Sequence, residues 1–258
     1  MRHIKKNFIA LFILLIFFAD GLGQSSAVEE LLAEAELLMD EKDEEGALEK
    51  YLSVFEIDEE NYDALWNTSL LYSSIGFRFE DDRKQKTHFE QAKKFAEKCL
   101  EHHPDKGHSY YVMAVAKGRT ANAAGVRRRI KLGHEIEEYV VQALDKMPEH
   151  APSWHLHGVW QSEVANVSRT ERMAARFLSG GLPDGSNEQS EEYLKKAIEL
   201  DPDSILIRLD LARHFERSGQ DDKAIAVLEE LLALDLEPQT KDDPSHLEDA
   251  QSLLDDLR

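Results

Sequence analysis

Two segments at opposite ends of the chain, Val28 to Asn61 and Ile205 to Pro238, share a length of 34 residues and one internal plan. Each holds two amphipathic stretches around a polar break, and a recurrence at that period constrains the fold more than any single motif does. In the later segment Leu206, Leu209, Leu211, Ala212 and Phe215 recur at three- and four-residue spacing, which predicts a first helix, A. Ser218-Gly219-Gln220-Asp221 breaks it, with Gly219 suited to the left-handed residue that follows a helix end. A second helix, B, carries Ala224, Ile225, Leu228, Leu231, Leu232 and Leu234. Ala212 and Ala224 are small enough for the two helices to approach closely, and Phe215 and Leu228 fill the seam beside them. The earlier segment assigns the same roles to Ala35 and Ala47, to Leu38 and Tyr51, and to the turn Lys42-Asp43-Glu44-Glu45; the small pair is 12 residues apart in both segments.

The middle of the chain repeats this plan with interruptions. A second unit, about 62–106, has helix A with Leu65, Trp66, Ser69 and Tyr72, an excursion from Phe77 to Thr87, and helix B with Ala92, Ala96 and Cys99. A third, about 107–150, places an inter-helix region at Arg119 to Gly133 and helix B at about His134 to Lys146. A fourth, about 151–204, opens with Trp154, Leu156 and Gly158 and has a long middle, Gln161 to Asn187, that contains a further helix near Arg169–Phe177. Pro104, Pro148 and Pro202 each follow a helix that they cannot continue. After the last unit (205–238), Leu247, Ala250, Leu253, Leu254 and Leu257 give one apolar face to a helix at about 245–257, with Ser245 as N-cap. A helix there covers the open apolar end of an array. The sum is an all-α fold: a right-handed α-solenoid of about five helix pairs (28–61, 62–106, 107–150, 151–204, 205–238) with insertions and a C-terminal capping helix, forming one domain over 24–258.

These units resemble tetratricopeptide (TPR) repeats along nearly the whole chain; Leu206 to Asp235 and Tyr193 to Pro202 carry the likeness most clearly. A narrower resemblance lies in the irregular middle. Arg128-Arg129-Ile130-Lys131 through Ala143-Leu144, Trp154-His155-Leu156-His157-Gly158-Val159-Trp160, Val164-Ala165-Asn166-Val167-Ser168 and Gly180-Gly181-Leu182-Pro183 look like the regulator of microtubule dynamics family and its bacterial relatives. The resemblance implies the order of irregular units and the trailing helix, and names no ligand. Eukaryotic members of that family are associated with microtubules and organelle membrane contacts, a role not carried over to a chain expected to be exported.

That expectation comes from the N-terminus. Arg2, Lys5 and Lys6 precede an apolar run from Phe8 to Ala19, and Gly21 and Gly23 offer a small-residue exit, the layout of a signal peptide (1–23) cleaved after Gly23. The run is short for a spanning helix, which needs about 20 apolar residues, so an uncleaved anchor is the alternative rather than the first reading. Periplasmic or secreted localisation follows. Cys99 is the only cysteine, which excludes an intramolecular disulfide and leaves stability to packing. With 51 acidic against 31 basic residues and a formal charge of −20, the surface repels phosphate backbones, so nucleic acid is not an expected partner.

A TPR solenoid holds extended peptides or partner helices in the groove lined by its A helices. The residues expected to face that groove are Trp66, Asn67 and Leu70, Tyr111 and Val115, His155 and Val159, and Leu209 and Arg213. The competing role for Trp66 and Tyr111 is packing against the next repeat. A clamp for a C-terminal carboxylate is not expected, since Trp66, Tyr111 and His155 stand where basic or amide groups would be needed beside Asn67. The basic run Arg127, Arg128, Arg129 and Lys131 is either an anion site or a face self-paired with Glu135, Glu137 and Glu138. His102-His103 and His155-x-His157 lack the four-residue spacing of a helical zinc motif, so no metal or other cofactor is expected. There is no glycine-rich phosphate loop and no nucleophile elbow, which argues against an enzyme. If a pocket of unusual chemistry exists, it is expected in the fourth-unit insertion around Trp160, Glu163, Asn166, Arg169 and Arg172. The sequence thus predicts an exported adaptor that holds an unidentified protein or peptide in its groove. A self-associating module, or a small-ligand or anion-binding protein using the middle insertions, are the alternatives.

Overall fold

The computed structural model describes residues 25–121, 124–179 and 181–258. The proposed signal peptide lies outside them. Twelve helices, and no strand, are present among the described residues: α1 (25–40), α2 (Glu44–Val54), α3 (Tyr62–Phe77), α4 (Asp82–His102), α5 (Gly107–Ala121), α6 (Val126–Lys146), α7 (Ala151–Ala165), α8 (Arg169–Ser179), α9 (Asn187–Leu200), α10 (Ile205–Arg217), α11 (Asp221–Ala233) and α12 (Asp243–Leu257). Consecutive helices pair as A and B of each unit, with α8 inserted between α7 and its partner α9. The A helices α3 and α5, and α7 and α10, also touch each other, and this stacking builds an α-solenoid.

Side-chain caps set many of the helix starts. Asp43, Asn61, Asp81, Ser186 and Ser204 each accept a hydrogen bond from a backbone N–H two or three residues ahead, satisfying donors that the first turn leaves open. The small pairs are where the spacing predicts them: Ala35, Ala47, Ala212 and Ala224 are fully buried, with Tyr51, Phe215 and Leu228 in the seams. Polar stitches join helices where backbones come close. Ser69 Oγ donates to the Ala92 carbonyl and Ser190 Oγ to the Gly158 carbonyl, each at 2.8 Å. Cys99 is buried against Ser109, and burial pushes its thiol up to about 11, so it acts as a small core residue.

Two of the expected insertions are not loops. The residues read as an excursion at Phe77–Thr87 instead start α4 at Asp82, where the Asp81 cap accepts from the amides of Arg83 and Lys84. In the same way α6 begins at Val126 rather than near His134, while α5 runs on to Ala121. The extra residues lengthen helix B by about two turns in each unit. The C-terminal helix begins at Asp243, not after Ser245: Pro244 occupies its first turn and the Asp243 carboxylate accepts from the amides of Gln239 and Thr240, both at 2.7 Å. The fixed φ of proline suits a first turn, so Pro244 opens the helix where it was expected to precede it.

The solenoid turns far enough for its ends to meet. Arg78, just past α3, hydrogen-bonds Glu44 at the start of α2 and, at 3.1 Å, Asp242 in front of α12. Lys241 reaches Glu45 at 2.8 Å. Replacing Arg78 with leucine leaves the Glu44 carboxylate, its side chain only 11% exposed, without its charged partner and with only the Ser74 hydroxyl at 3.3 Å. We expect a loss of about 2 kcal/mol in urea unfolding, less than for a fully buried pair because these groups keep some water.

Candidate functional site

The inner faces of the A helices surround one cavity of about 540 Å³. Helical spacing supplies its walls: Leu70, Ser73, Ser74 and Phe77 from α3, Tyr111, Val115, Gly118 and Arg119 from α5, His155, Leu156 and Val159 from α7, and Leu206, Asp210 and Arg213 from α10. Asp242, Ser245, His246 and Asp249 close it from the C-terminal side. The capping helix therefore does two jobs, covering the last repeat with Ala250 and Leu254 and completing the groove with its other face.

Most charges in this cavity are mutually satisfied. Asp210 accepts from His155 Nε2 at 2.8 Å and from Arg213 at 3.1 Å, and Arg213 reaches Asp249 at 2.8 Å. Burial pushes the Asp210 carboxyl up, but the hydrogen bonds and charges of His155 and Arg213 outweigh it and hold the group below the usual carboxylate range. Arg119 is different. Its guanidinium lies 4.3 Å from the Phe77 ring centroid, and its Nε has no hydrogen-bond partner among the described residues. Burial pulls its pKa down, yet a guanidinium stays protonated. Ser73, 1% exposed on the facing helix, likewise has an unpartnered hydroxyl. The groove thus offers apolar walls and the Arg119 guanidinium, with its Nε and the Ser73 hydroxyl buried behind the surface, a combination that suits an apolar ligand carrying an acceptor or negative charge.

Of the residues expected in the groove, the structure places Leu70, Tyr111, Val115, His155, Val159 and Arg213 on this cavity and three others away from it. Leu209 is fully buried between α10, α11 and α12; the groove positions on α10 are its neighbours on the helix face, Leu206, Asp210 and Arg213. Trp66 stacks on His108 of the next repeat with centroids 4.3 Å apart, so its packing role prevails. Asn67 is turned back on its own helix, donating to the Asp63 carbonyl at 2.9 Å. The sequence reading missed Ser73, Phe77, Gly118 and Arg119. Extending the Leu70 and Tyr111–Val115 rows along the helix would have found them; Ser73 and Gly118 lay within the expected helices, whereas Phe77 and Arg119 were placed just beyond their ends.

The basic run is helical, in the first turns of α6, and does not converge on one anion. Arg128 and Lys131 line a separate cavity of about 330 Å³ with Lys93, Lys117 and Glu135, whereas Arg127 and Arg129 do not. Lys131 pairs with Glu135 at 3.4 Å, and Arg129 donates to the Ala124 carbonyl at 3.3 Å. Four of the five fourth-unit residues make contacts that hold neighbouring segments together, and Arg169 is exposed. Trp160 Nε1 donates to Gly133, Asn166 to Ser162 and Asn187, and Arg172 to Val164, while Glu163 pairs with Arg217.

Comparison with known proteins agrees with this architecture. A thermophilic TPR protein of Thermus thermophilus superimposes with a TM-score of 0.64 at 18% identity, over 88% of this chain and 98% of that one. PilF of Pseudomonas aeruginosa gives a TM-score of 0.52 at 14% identity, over 91% and 93%. Among curated proteins, bovine regulator of microtubule dynamics protein 3 is 27% identical over 192 residues, 74% of this chain and 40% of its own length. Mouse regulator of microtubule dynamics protein 1 is 26% identical over 181 residues, 69% and 58% respectively. The chain therefore spans less than two thirds of these relatives. Their identity corrects the expected localisation: mammalian regulators of microtubule dynamics conflict with a periplasmic or secreted protein, and the argument from export against a microtubule role falls with it. The family model for Regulator of microtubule dynamics protein 1-3 matches residues 31–258, and the chain belongs to that family.

Proposed function

We propose that the protein is a non-catalytic adaptor whose groove holds an extended or helical segment of a protein partner. The observation that carries this reading is the convergence of four inner helix faces on one cavity walled by Arg119, whose Nε, like the Ser73 hydroxyl, has no hydrogen-bond partner among the described residues. Leu70, Val115 and Val159 would receive apolar side chains of the segment, and Arg119 a carboxylate or carbonyl. Such a group gains from a ligand because burial has already removed part of its water in the free protein.

Gly118 gives a clean test. It lines the cavity, and an added Cβ there meets nothing within 4 Å. Gly118→Leu should therefore fill the groove without disturbing the fold, and remove a helix-interior glycine as well. With a photo-crosslinking amino acid at Val115, the otherwise unaltered chain should capture a protein in the native host. Gly118→Leu should reduce that adduct by about tenfold or more, the loss of about 1.4 kcal/mol, at unchanged or higher Tm. Undiminished capture by the filled groove, or capture of nothing but a second copy of this chain, would refute the reading.

A further inference from the structure

The helix α8 presents its apolar side outward. A surface helix normally turns that side to the core, but here the inward positions are Ala175, 1% exposed, and Arg172, which donates to the Val164 carbonyl at 2.8 Å. Met173 and Phe177, one turn apart, are left 62% and 88% exposed. A capping box sets the start of the helix: Ser168 Oγ accepts from the Glu171 amide, and the Glu171 carboxylate accepts from the Ser168 amide and hydroxyl. The Arg172 hydrogen bond to the end of α7 and the burial of Ala175 set which side faces inward.

The surroundings of this apolar face are basic in a chain of net charge −20. Arg169 and Arg176 flank it on α8 and are exposed. The helix packs on α6, whose first turn adds exposed Val126, Arg127, Arg128 and Arg129, close enough for the Arg129 charge to act on Glu171. An acidic helix or a second copy of this chain would match the charge, and a response at rising protein concentration without vesicles is the outcome that would identify that occupant. An anionic lipid surface matches both features, with headgroups for the arginines and the upper acyl region for the apolar side chains. The acidic remainder of the protein does not forbid this approach, because charges more than about 8 Å away are largely screened at physiological ionic strength. No described helix is long and apolar enough to cross a membrane, so the contact is one of lying on the surface.

We infer that α8 and the first turn of α6 form a docking surface for an anionic membrane, with Phe177 and Met173 entering the interface and Arg127, Arg128, Arg169 and Arg176 engaging headgroups. The site is separate from the groove and independent of the function proposed for it.

The test uses the full-length chain carrying Cys99→Ala, with an environment-sensitive fluorophore on Phe177→Cys and, as a control, on exposed Gln251→Cys of α12. Vesicles of phosphatidylcholine with phosphatidylserine should blue-shift the probe at position 177 and leave that at 251 unchanged; phosphatidylcholine alone should do much less. Arg127→Gln and Arg128→Gln should each weaken the response by about fivefold, with a steep dependence on salt. No shift at position 177, an equal shift at both positions, or a shift that occurs at rising protein concentration without vesicles would overturn the assignment.

Discussion

Replacing Gly158 with valine should cost about 3 kcal/mol in urea unfolding, a large share of the stability of a domain this size. Gly158 lies on α7 where α9 crosses it, and a Cβ built there meets Leu194 Cγ at 2.7 Å, Cδ2 at 3.0 Å and the Leu194 backbone nitrogen at 3.1 Å. The side-chain atoms cannot easily yield, since Leu194 is fully buried against Leu211, Phe215 and Ala224. The backbone atom cannot yield without moving α9. Separation of α7 and α9 would also stretch the hydrogen bond from Ser190 to the Gly158 carbonyl, leaving a buried hydroxyl unpaired. Gly158→Ala should lose less, about 1 to 2 kcal/mol, because only one methyl must be accommodated. Gly118→Ala is the control: with open space at its Cβ it should gain about 0.5 to 1 kcal/mol from helix propensity alone. A valine at 158 that unfolds within about 0.5 kcal/mol of the natural chain would show that the α7–α9 contact has slack.

That contact also explains what the sequence could convey. Small residues at fixed separation, Ala35 with Ala47 and Ala212 with Ala224, mark helix crossings directly because only small side chains permit the close approach. The helix pairing was legible for the same reason. Helix lengths were not. In α4 and α6 the extra turns carry mostly charged residues, and a polar stretch reads as a loop until a cap such as Asp81 is seen to start it. Groove residues such as Val115 and Val159 were legible from their helical spacing relative to Tyr111 and His155. The A helices are apolar on two sides, however, one facing the B helices and one facing the cavity, so a hydrophobic pattern cannot tell Leu209 in the core from Leu206 in the groove. Arg78 and its partners Glu44 and Asp242 escaped for another reason. Their roles depend on the turn of the whole array, which brings residues separated by 164 positions into contact.

The same stacking of A helices sets the response to acid. His150 lies between α5 and α7, with its Nδ1 2.8 Å from Ser153 Oγ and its ring edge-on to His108 and Tyr111. Burial, with a smaller contribution from the charge of His108, pushes its pKa down to about 4. His157, 6% exposed beside Tyr193, is pushed down to about 4 by burial. Burial lowers His108 and His214 too. A histidine whose pKa falls on folding favours the folded state while both states are neutral. As pH drops below about 6.5 the unfolded chain takes up protons that the folded chain refuses, and stability declines until the folded pKa is reached. Stability is therefore full above about pH 7 and should fall by roughly 4 kcal/mol between about pH 7.5 and about pH 5 from His150 and His157 together, at about 1.4 kcal/mol per pH unit each below 6.5. Asp210 and Asp243, both held below the usual carboxylate range, add a further loss only at lower pH. Urea titrations across this range measure the slope, and His157→Phe, which keeps an aromatic ring against Tyr193, should remove about half of it with little change at neutral pH. An unaltered slope in that variant would mean that His157 takes up its proton without cost. Because folded His150 stays neutral until about pH 4, its titration should leave ligand binding in the groove unchanged over this interval for as long as the chain is folded.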